Sequence, residues 1–386
     1  MRMHDMPEHT TASPRQLPKT LIAGLALIAI TEALVMIDVI RRGGAVAPHV
    51  EMPEPVGVFG LAARWAAYNI TAVCWVGYLL LADGLLVRLA QRRDTPTIAS
   101  LRARPNRFLV AWLTSIPVWC VFDFVNFHLM HAWTYHGLPE QRLLRYVGFF
   151  IAFAAISPGM FLTAQWLSHA GFKRWRTPDA PRGNRLAAWG LIVGVITVLV
   201  AITLSVMTLG VKPWPMRAVA LSGAVMLLPG LAVACIVRCP YLSSFTFGLC
   251  LTAWAVAIAD PIGNMLLWVG LIYLLDPVSR RLGGPSIIAD WLAGRWGRTA
   301  ALMAGGAVCG LLWEFWNYWA LSKWTYDLPF LGSWQQVGYF EMPLAGFLGF
   351  LPFAVECWVM LNVINSALNA SGLRLAEELS DDCDIL

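Results

Sequence analysis

The sequence predicts an all-α, polytopic transmembrane helix bundle of about nine spans, built from two tandem repeats of a multi-helix unit. Of its 386 residues, 58% are hydrophobic and only 13% are charged, a balance typical of a chain embedded in a bilayer. Several apolar runs reach the roughly 20 residues that cross about 30 Å of hydrocarbon as a helix. These runs are apolar on all sides and do not alternate, which disfavours membrane strands.

The apolar runs define nine candidate spans. In chain order they cover residues 20–41, 62–88, 108–129, 146–168, 186–211, 217–237, 245–276, 299–320 and 340–363. The seventh is long enough to be tilted, or broken at Asp260, Pro261 and Gly263, because proline removes a backbone donor from the helix.

Polar segments divide the chain and indicate its orientation. They give a polar N-terminal segment 1–19, membrane repeat 20–168, basic loop 169–185, linker helix 186–211, membrane repeat 212–365 and acidic C-terminal tail 366–386, of which the stretch from Glu377 to Asp384 is expected to be disordered. Arginines cluster in loops 88–107 and 169–185, which the positive-inside rule makes cytoplasmic. The expectation is a multi-pass protein of the cell inner membrane with a cytoplasmic N-terminus.

An internal repeat is the most specific signal in the chain. Residues 75–89 placed over 268–282 share seven of fifteen identities, and residues 123–135 placed over 314–326 share five of thirteen. A third block matches Val147-Gly148-Phe149-Phe150 with Val337-Gly338-Tyr339-Phe340. Biased composition would give about one match in ten, so the order and density of these matches indicate duplication. An odd linker helix would make the halves inverted, whereas the positive-inside rule favours parallel halves.

The matched runs share polar residues inside apolar segments. Asp123 and Asn126, like Glu314 and Asn317, are three residues apart and project from one helix face. A carboxyl within a span costs a few kcal/mol, so it normally faces the bundle interior. Two interpretations stay open, interhelical hydrogen bonding and chemistry; with Glu341, which the first half lacks, these four residues form the candidate catalytic set.

Aromatic residues accompany the carboxyls in both halves. They can anchor the helices at the membrane interface or line a binding site for a hydrophobic molecule. The candidates for the second role are Trp313, Trp316, Trp324, Tyr326, Trp133 and Tyr135.

Other residue patterns are less specific. Most of the eight cysteines lie in apolar segments and are expected to be small buried hydrophobes. His128, His131 and His136 have a spacing that could ligate a metal, but the second half has no histidine at the matching positions. No metal site or cofactor is therefore assigned. No phosphate-binding loop occurs, and the net charge of +5 is spread over loops, which excludes nucleotide- and nucleic-acid-binding classes.

The run Trp313-Glu314-Phe315-Trp316-Asn317, followed by Trp324-Thr325-Tyr326 and Glu341-Met342-Pro343, resembles Trp-rich bacterial membrane proteins and the small membrane lycopene cyclases of carotenoid synthesis. The cyclase pattern ends in Pro-x-Glu-Glu, whereas here Glu341 precedes Pro343. The resemblance implies proton transfer to a polyene, with Glu314 and Glu341 as acids, Asp123 as the counterpart and Trp313, Trp316 and Trp324 as cation-stabilising walls.

Three functional classes follow from these patterns. The first is an intramembrane acid–base enzyme acting on an isoprenoid- or carotenoid-type lipid. The second is a secondary transporter with a carboxylate-lined site at the repeat interface, favoured by the proline-interrupted seventh span. The third is a membrane scaffold, which needs only the interhelical hydrogen bonds. The expected partners are the lipid bilayer and a hydrophobic small molecule.

Overall fold

A computed structural model describes residues 17–45, 53–93, 104–176, 240–258, 261–375 and 384–386. In chain order the helices are α1 (Lys19–Arg42), α2 (Gly57–Arg93), α3 (Pro105–Val125), α4 (Arg142–Ala170), α5 (Pro240–Ile258), α6 (Pro261–Arg281), α7 (Ile287–Leu292), α8 (Gly297–Trp319) and α9 (Phe347–Ala370). The strands are β1 (Trp133–His136), β2 (Lys323–Tyr326), β3 (Gly338–Tyr339) and β4 (Met342–Pro343).

The all-α prediction is confirmed for the described residues. Six of their helices are long and apolar enough to cross a membrane, namely α1, α2, α3, α4, α8 and α9. Large apolar side chains remain exposed along α1, as expected where a helix faces lipid and not a protein core. Examples are Ile22, Leu25, Ile30 and Ile40. The predicted spans 186–211 and 217–237 lie outside the described residues.

The predicted seventh span, 245–276, is broken near Pro261, which was one of its two expected alternatives: α5 ends at Ile258 and α6 begins at Pro261. The two helices run antiparallel. The Ser244 hydroxyl early in α5 donates to the Tyr273 carbonyl late in α6 (2.8 Å), and Gly270, earlier in α6, lies against Thr252, later in α5. The carboxylate of Asp276 near the end of α6 accepts the N–H groups of Ile287 and Ile288 and so caps α7.

Helix contacts fix the direction of each element. α9 runs antiparallel to α3, since Phe353 meets Phe122 (5.7 Å) and Asn362 meets Arg107 at the other end (3.3 Å). α9 is also antiparallel to α8, because Phe350 packs on Gly310 and Trp358 on Arg298. α3 and α8 therefore run in the same direction.

One end of the bundle, here called the basic end, collects arginines and lysines. It holds the end of α2, the beginnings of α3 and α8, and the ends of α4 and α6. Arg176 at the end of α4 lies in a β-bridge with Arg295 just before α8, which places these two helix ends side by side. The opposite end, here called the strand end, carries β1 and β2.

β1 and β2 pair antiparallel in a self-matching register. Trp133 lies opposite Tyr326, Thr134 opposite Thr325, and Tyr135 opposite Trp324. Exchanging the two Trp-Thr-Tyr segments reproduces the same pairs, which is the signature of an isologous contact. A local two-fold axis therefore passes between Thr134 and Thr325.

The end of the chain departs from the expected disorder at Asp384, whereas the rest of that stretch, 377–383, lies outside the described residues. Asp384, Ile385 and Leu386 are buried at the basic end. Arg104 donates to the Asp384 carboxylate (3.0 Å), and the Gln165 side-chain oxygen accepts the Ile385 backbone N–H (2.7 Å). The tail boundary was also placed too early, because α9 continues to Ala370.

We expect Gly84→Ala to lower the free energy of unfolding. A Cβ atom at this position would overlap the backbone of Leu21, where α1 crosses α2. Such overpacking costs about 1–3 kcal/mol. The matched control is Gly148→Ala in α4, where a Cβ atom meets nothing within 4 Å and helix propensity gains about 0.5–1 kcal/mol. Thermal unfolding in detergent measures both, and equal melting temperatures would contradict the close crossing.

Candidate functional site

A cavity of about 200 Å³ lies next to the β1–β2 pair. Its wall is formed by α2, α3, α4, α6, α8 and α9 together with the two strands. Six tryptophans contribute to this wall: Trp75, Trp119, Trp133, Trp268, Trp313 and Trp324. Trp119 of α3 and Trp313 of α8 meet at a ring-centroid distance of 5.5 Å, so the aromatic wall is continuous between the first and second halves of the chain.

A side-chain amide fixes each strand to the end of the preceding helix. The Asn126 amide donates to the Trp133 carbonyl (2.8 Å) and its oxygen accepts the N–H groups of Ala132 (2.7 Å) and Trp133 (3.1 Å). Asn317 makes the corresponding bonds to Trp324: its amide donates to the Trp324 carbonyl (2.8 Å), and its oxygen accepts the Trp324 backbone N–H (2.9 Å). Both amides are fully buried. Their polar atoms are used by the backbone, so these two candidate catalytic residues are positioning residues.

The carboxyls lie one layer behind the cavity wall. The Asp123 Oδ1 atom accepts the Trp133 indole N–H (3.1 Å) and the Tyr135 hydroxyl (3.0 Å). The Glu314 Oε1 atom accepts the Tyr326 hydroxyl (2.8 Å), which in turn accepts the Trp324 indole N–H (2.7 Å). No Asp or Glu occurs among the described residues that line the cavity. Each carboxyl is therefore connected to the cavity wall through a tyrosine hydroxyl, and Asp123 also through the Trp133 indole.

The two tyrosines stay protonated at ordinary pH. Burial raises the pKa of Tyr135 well above its usual value, and the nearby Asp123 carboxyl adds to the shift. Burial and the Glu314 carboxyl do the same to the pKa of Tyr326. Each hydroxyl therefore keeps its proton and donates it to its carboxyl partner while that partner is ionised, because the charged phenolate is disfavoured both by the apolar surroundings and by the neighbouring negative charge.

Glu341 lies outside the helix in which the sequence analysis placed it. Phe340 has a φ of 57°, and Glu341 sits in the turn between β3 and β4, ahead of α9. Its carboxylate forms an ion pair with Lys323 (2.5 Å), which also donates to the Tyr318 carbonyl. Lys323 lines the cavity, whereas Glu341 does not. The structure thus gives Glu341 a charge-balancing position and not a place in the wall.

The predicted aromatic set is mostly brought together. Trp313, Trp324, Tyr326, Trp133 and Tyr135 all line the cavity. Trp316 does not: it lies behind Trp75 at a centroid distance of 5.5 Å and donates its indole N–H to Glu32 (3.0 Å). Its side chain is a packing group between α1, α2 and α8.

Three tryptophans of the wall were missed by sequence reasoning. Trp75 and Trp268 begin the matched runs 75–89 and 268–282. The repeat therefore marked both tryptophans, but they were assigned only to helices and not to the candidate site. Trp119 has no tryptophan at its matching position and gave no signal. It reaches the cavity because it sits one helical turn before Asp123 on the same face of α3.

The three histidines make separate contacts. His128 stacks on Phe124 with ring centroids 4.4 Å apart, and His136 approaches the Thr325 hydroxyl at 2.8 Å. His131 is exposed and adopts a φ of 52° where the helical turn ends. Among the described residues, no group of three or more metal-ligating side chains is assembled.

Comparison with protein-family models, curated proteins and solved structures found no match to this chain. The functional argument therefore depends on the cavity and on the residues that surround it.

We expect Asn317→Asp to destabilise the fold. An aspartate keeps an oxygen that accepts the Trp324 N–H but cannot donate to the Trp324 carbonyl, which leaves that buried carbonyl without its donor at a cost of about 1–3 kcal/mol. Asn69→Asp is the control, because the Asn69 amide is exposed and bonds only to its own helix. Unfolding in denaturant measures both; similar stabilities for the two variants would contradict the positioning role.

Proposed function

We propose that the chain consists of two parallel copies of one four-helix unit, α1–α4 and α5, α6, α8, α9. Three observations support this. The β1–β2 register stays the same when the two Trp-Thr-Tyr segments that the repeat equates are exchanged. The equivalent tryptophans Trp75 and Trp268 pack on the equivalent glycines Gly159 and Gly349. The equivalent helices α3 and α8 run in the same direction along the bundle. Parallel copies related by an axis along the membrane normal are a recurring membrane architecture.

The parallel arrangement also supports an orientation in the membrane. It brings Arg280, Arg281, Arg295 and Arg298 to the same end as the arginines that precede α3. The positive-inside rule then favours a cytoplasmic basic end. α1 runs antiparallel to α2, since Gly24 packs on Gly77 and Leu21 on Gly84. The N-terminus is thereby cytoplasmic, in the cell inner membrane.

Reporter fusions test this topology. A fusion after Arg298 is expected to give a cytoplasmic signal, and a fusion after Pro139, between β1 and α4, a signal from the opposite side. Truncation at these two positions keeps the first unit's helices α1–α3 in both fusion proteins. A non-cytoplasmic signal after Arg298 would rule out parallel copies and favour inverted ones.

We further propose that the cavity binds an isoprenoid-type lipid and that the protein acts on it by acid–base chemistry. The observation that carries this is the carboxyl–tyrosine pair in the aromatic wall. When Glu314 is protonated on the oxygen that faces Tyr326, the Tyr326 hydroxyl turns away from it. Glu314 can then donate its proton to the Tyr326 oxygen while the hydroxyl gives its own proton to a group in the cavity. Asp123 and Tyr135 form the corresponding pair in the first unit.

The tryptophan wall supports a hydrophobic substrate. Indole rings provide large apolar surface and π-faces that attract positive charge developing on a protonated double bond. The wall excludes bulk water, which would otherwise intercept such a cation. These are the features that the cyclase resemblance implies for Trp313 and Trp324.

One argument for the transporter alternative was a span interrupted at residues 260–263, as in carriers whose binding site lies at a broken helix. In the structure α5 and α6 are separate antiparallel helices. The enzyme is therefore the function that the site favours.

Glu314→Gln is expected to lower conversion of the bound lipid by about 100-fold or more, the contribution typical of a positioned acid. Glutamine can still accept the Tyr326 hydroxyl but has no proton to transfer. The lipid extracted with the purified wild-type protein is identified by mass spectrometry, and its conversion in membrane vesicles is then compared between variants.

Glu356→Gln is the matched control for this experiment. Glu356 is a fully buried carboxyl on α9 that does not line the cavity, and its replacement should leave conversion unchanged. If Glu314→Gln folds, binds the lipid and converts it at the wild-type rate, Glu314 is not the acid. If transport of the lipid across the membrane is lost while no conversion is found in wild type, the carrier replaces the enzyme.

A further inference from the structure

One face of α4 forms a continuous side of the cavity. The helix begins at the strand end and finishes at the basic end. Its wall residues recur at helical spacing, which keeps them on one face. From the strand end inward they include Arg145, Gly148, Phe149, Ala152, Phe153 and Ile156. At a rise of about 1.5 Å per residue, this face extends for about 16 Å. The cavity can therefore hold an extended chain along α4.

The two ends of this face differ in chemistry. Toward the interior, Phe153 meets the ring of Trp119 at a centroid distance of 5.8 Å, within the aromatic wall. At the outer end the wall contains the guanidinium group of Arg145. Lys323 also belongs to the wall, but Glu341 balances its charge. Because no Asp or Glu occurs among the described wall residues, Arg145 gives the outer part of the cavity an uncompensated positive charge.

The Arg145 side chain is oriented but not saturated. Its Nε–H donates to the Pro139 carbonyl (3.0 Å), and the side chain is partly exposed. Among the described residues, the two terminal nitrogens have no hydrogen-bond partner, and they are not enclosed by protein. In contrast, Arg42 and Arg64 at the same end of the bundle share the Asp38 carboxylate. A group that enters the cavity can therefore accept hydrogen bonds from both terminal nitrogens of Arg145.

The position of Arg145 is not explained by the repeat or by the proposed topology. The block that equates Val147 with Val337 places Arg145 on Gln335, so the second unit has no charge at this position. The proposed orientation makes the strand end non-cytoplasmic, the side on which arginine is disfavoured. The charge is thus specific to the wall of this cavity, which points to an anionic ligand.

We propose that the cavity binds an isoprenoid phosphate, with the phosphate on Arg145 and the isoprenoid chain along α4. The planar guanidinium group can donate two parallel hydrogen bonds to a phosphate. One turn deeper on the same face, Phe149 meets the Tyr135 ring at 5.7 Å, so the chain next to the head group lies beside a carboxyl–tyrosine pair. This inference rests on the proposed binding of an isoprenoid-type lipid, and it names the head group and the direction in which the lipid enters.

Binding of farnesyl phosphate and farnesol tests the proposal. The two probes have the same chain and differ only in the head group. Each is radiolabelled and measured with the full chain in nanodiscs of phosphatidylcholine, a lipid without net charge. Arg145→Gln is expected to weaken farnesyl phosphate binding about tenfold or more relative to farnesol binding, the effect of losing a hydrogen bond to a charged group.

Arg41→Gln is the matched control. Arg41 is also an arginine of the strand end that donates to a backbone carbonyl, that of Val56, but it does not line the cavity. The ratio of the two affinities should stay unchanged in this variant. An unchanged ratio in Arg145→Gln, or an equal fall in both variants, would overturn the phosphate assignment. If Arg145→Gln does not fold, Arg145→Lys decides in its place, because lysine lacks the paired donors and should also lower the ratio.

Inorganic phosphate distinguishes a lipid head group from a free anion. Because the aromatic wall contributes to binding of the chain, inorganic phosphate is expected to compete with farnesyl phosphate only at concentrations at least about 100-fold higher than farnesyl phosphate itself. If it competes equally well and farnesol does not bind, Arg145 holds a free anion and the lipid assignment is wrong.

A cavity-filling variant separates this inference from the proposed function. Ala152→Trp places a large ring in the wall, whereas Ala26→Trp alters the exposed surface of α1. If only Ala152→Trp abolishes binding of farnesyl phosphate and farnesol, the cavity is the lipid site, and the Arg145 variants alone decide whether a phosphate is held there. If Ala152→Trp leaves both affinities unchanged, the cavity does not bind the lipid and both proposals fail.

Discussion

Two buried amides hold the site in place. Near the hydrocarbon of a bilayer a helix can end only where its free backbone groups find partners inside the protein, because each unsatisfied group costs several kcal/mol. Asn126 and Asn317 supply a donor and an acceptor at the ends of α3 and α8, and each binds the backbone of the first Trp-Thr-Tyr residue. The two segments then pair with each other through their backbones in an antiparallel ladder. The two amides thus fix the positions at which α3 and α8 end. The strand pair that follows places four aromatic side chains in the cavity wall.

The sequence predicted those features that depend on local composition. An apolar run reports a helix wherever it is long enough, which is why α1, α2, α3, α4 and α8 lie close to their predicted bounds. The repeated Trp-Thr-Tyr blocks likewise indicated the site, because a polar or aromatic pattern kept in two copies of one chain is required by the unit itself. Local composition does not show which distant segments of the chain pair with each other. A four-residue strand such as β1 has no recognisable pattern of its own, and it forms only because β2, far along the chain, offers the complementary edge.

The segment 384–386 shows the same limitation. Asp384 ends the acidic stretch that begins at Glu377 and was expected to be disordered, since charged residues are rarely buried without partners. The partners exist in helices far earlier in the chain: Arg104 precedes α3 and Gln165 lies in α4. The indole N–H of Trp358 donates to the Ile385 carbonyl and completes the set. The burial of Asp384 is thus explained by positive charge concentrated at the basic end, which the net charge of the whole chain does not reveal.

The two halves of the chain differ by one methylene in the matched acids, Asp123 in the first half and Glu314 in the second. The shorter Asp123 accepts both the Trp133 indole and the Tyr135 hydroxyl on a single oxygen. Among the described residues, the Oε1 atom of the longer Glu314 accepts the Tyr326 hydroxyl, while the Trp324 indole donates to that hydroxyl instead, and the Oε2 atom has no hydrogen-bond partner. In the first half of the chain both donors thus bind the carboxyl directly, whereas in the second half they act in series. One additional methylene in the acid therefore changes which group receives the indole N–H, while the tyrosine keeps its bond to the carboxyl in both halves.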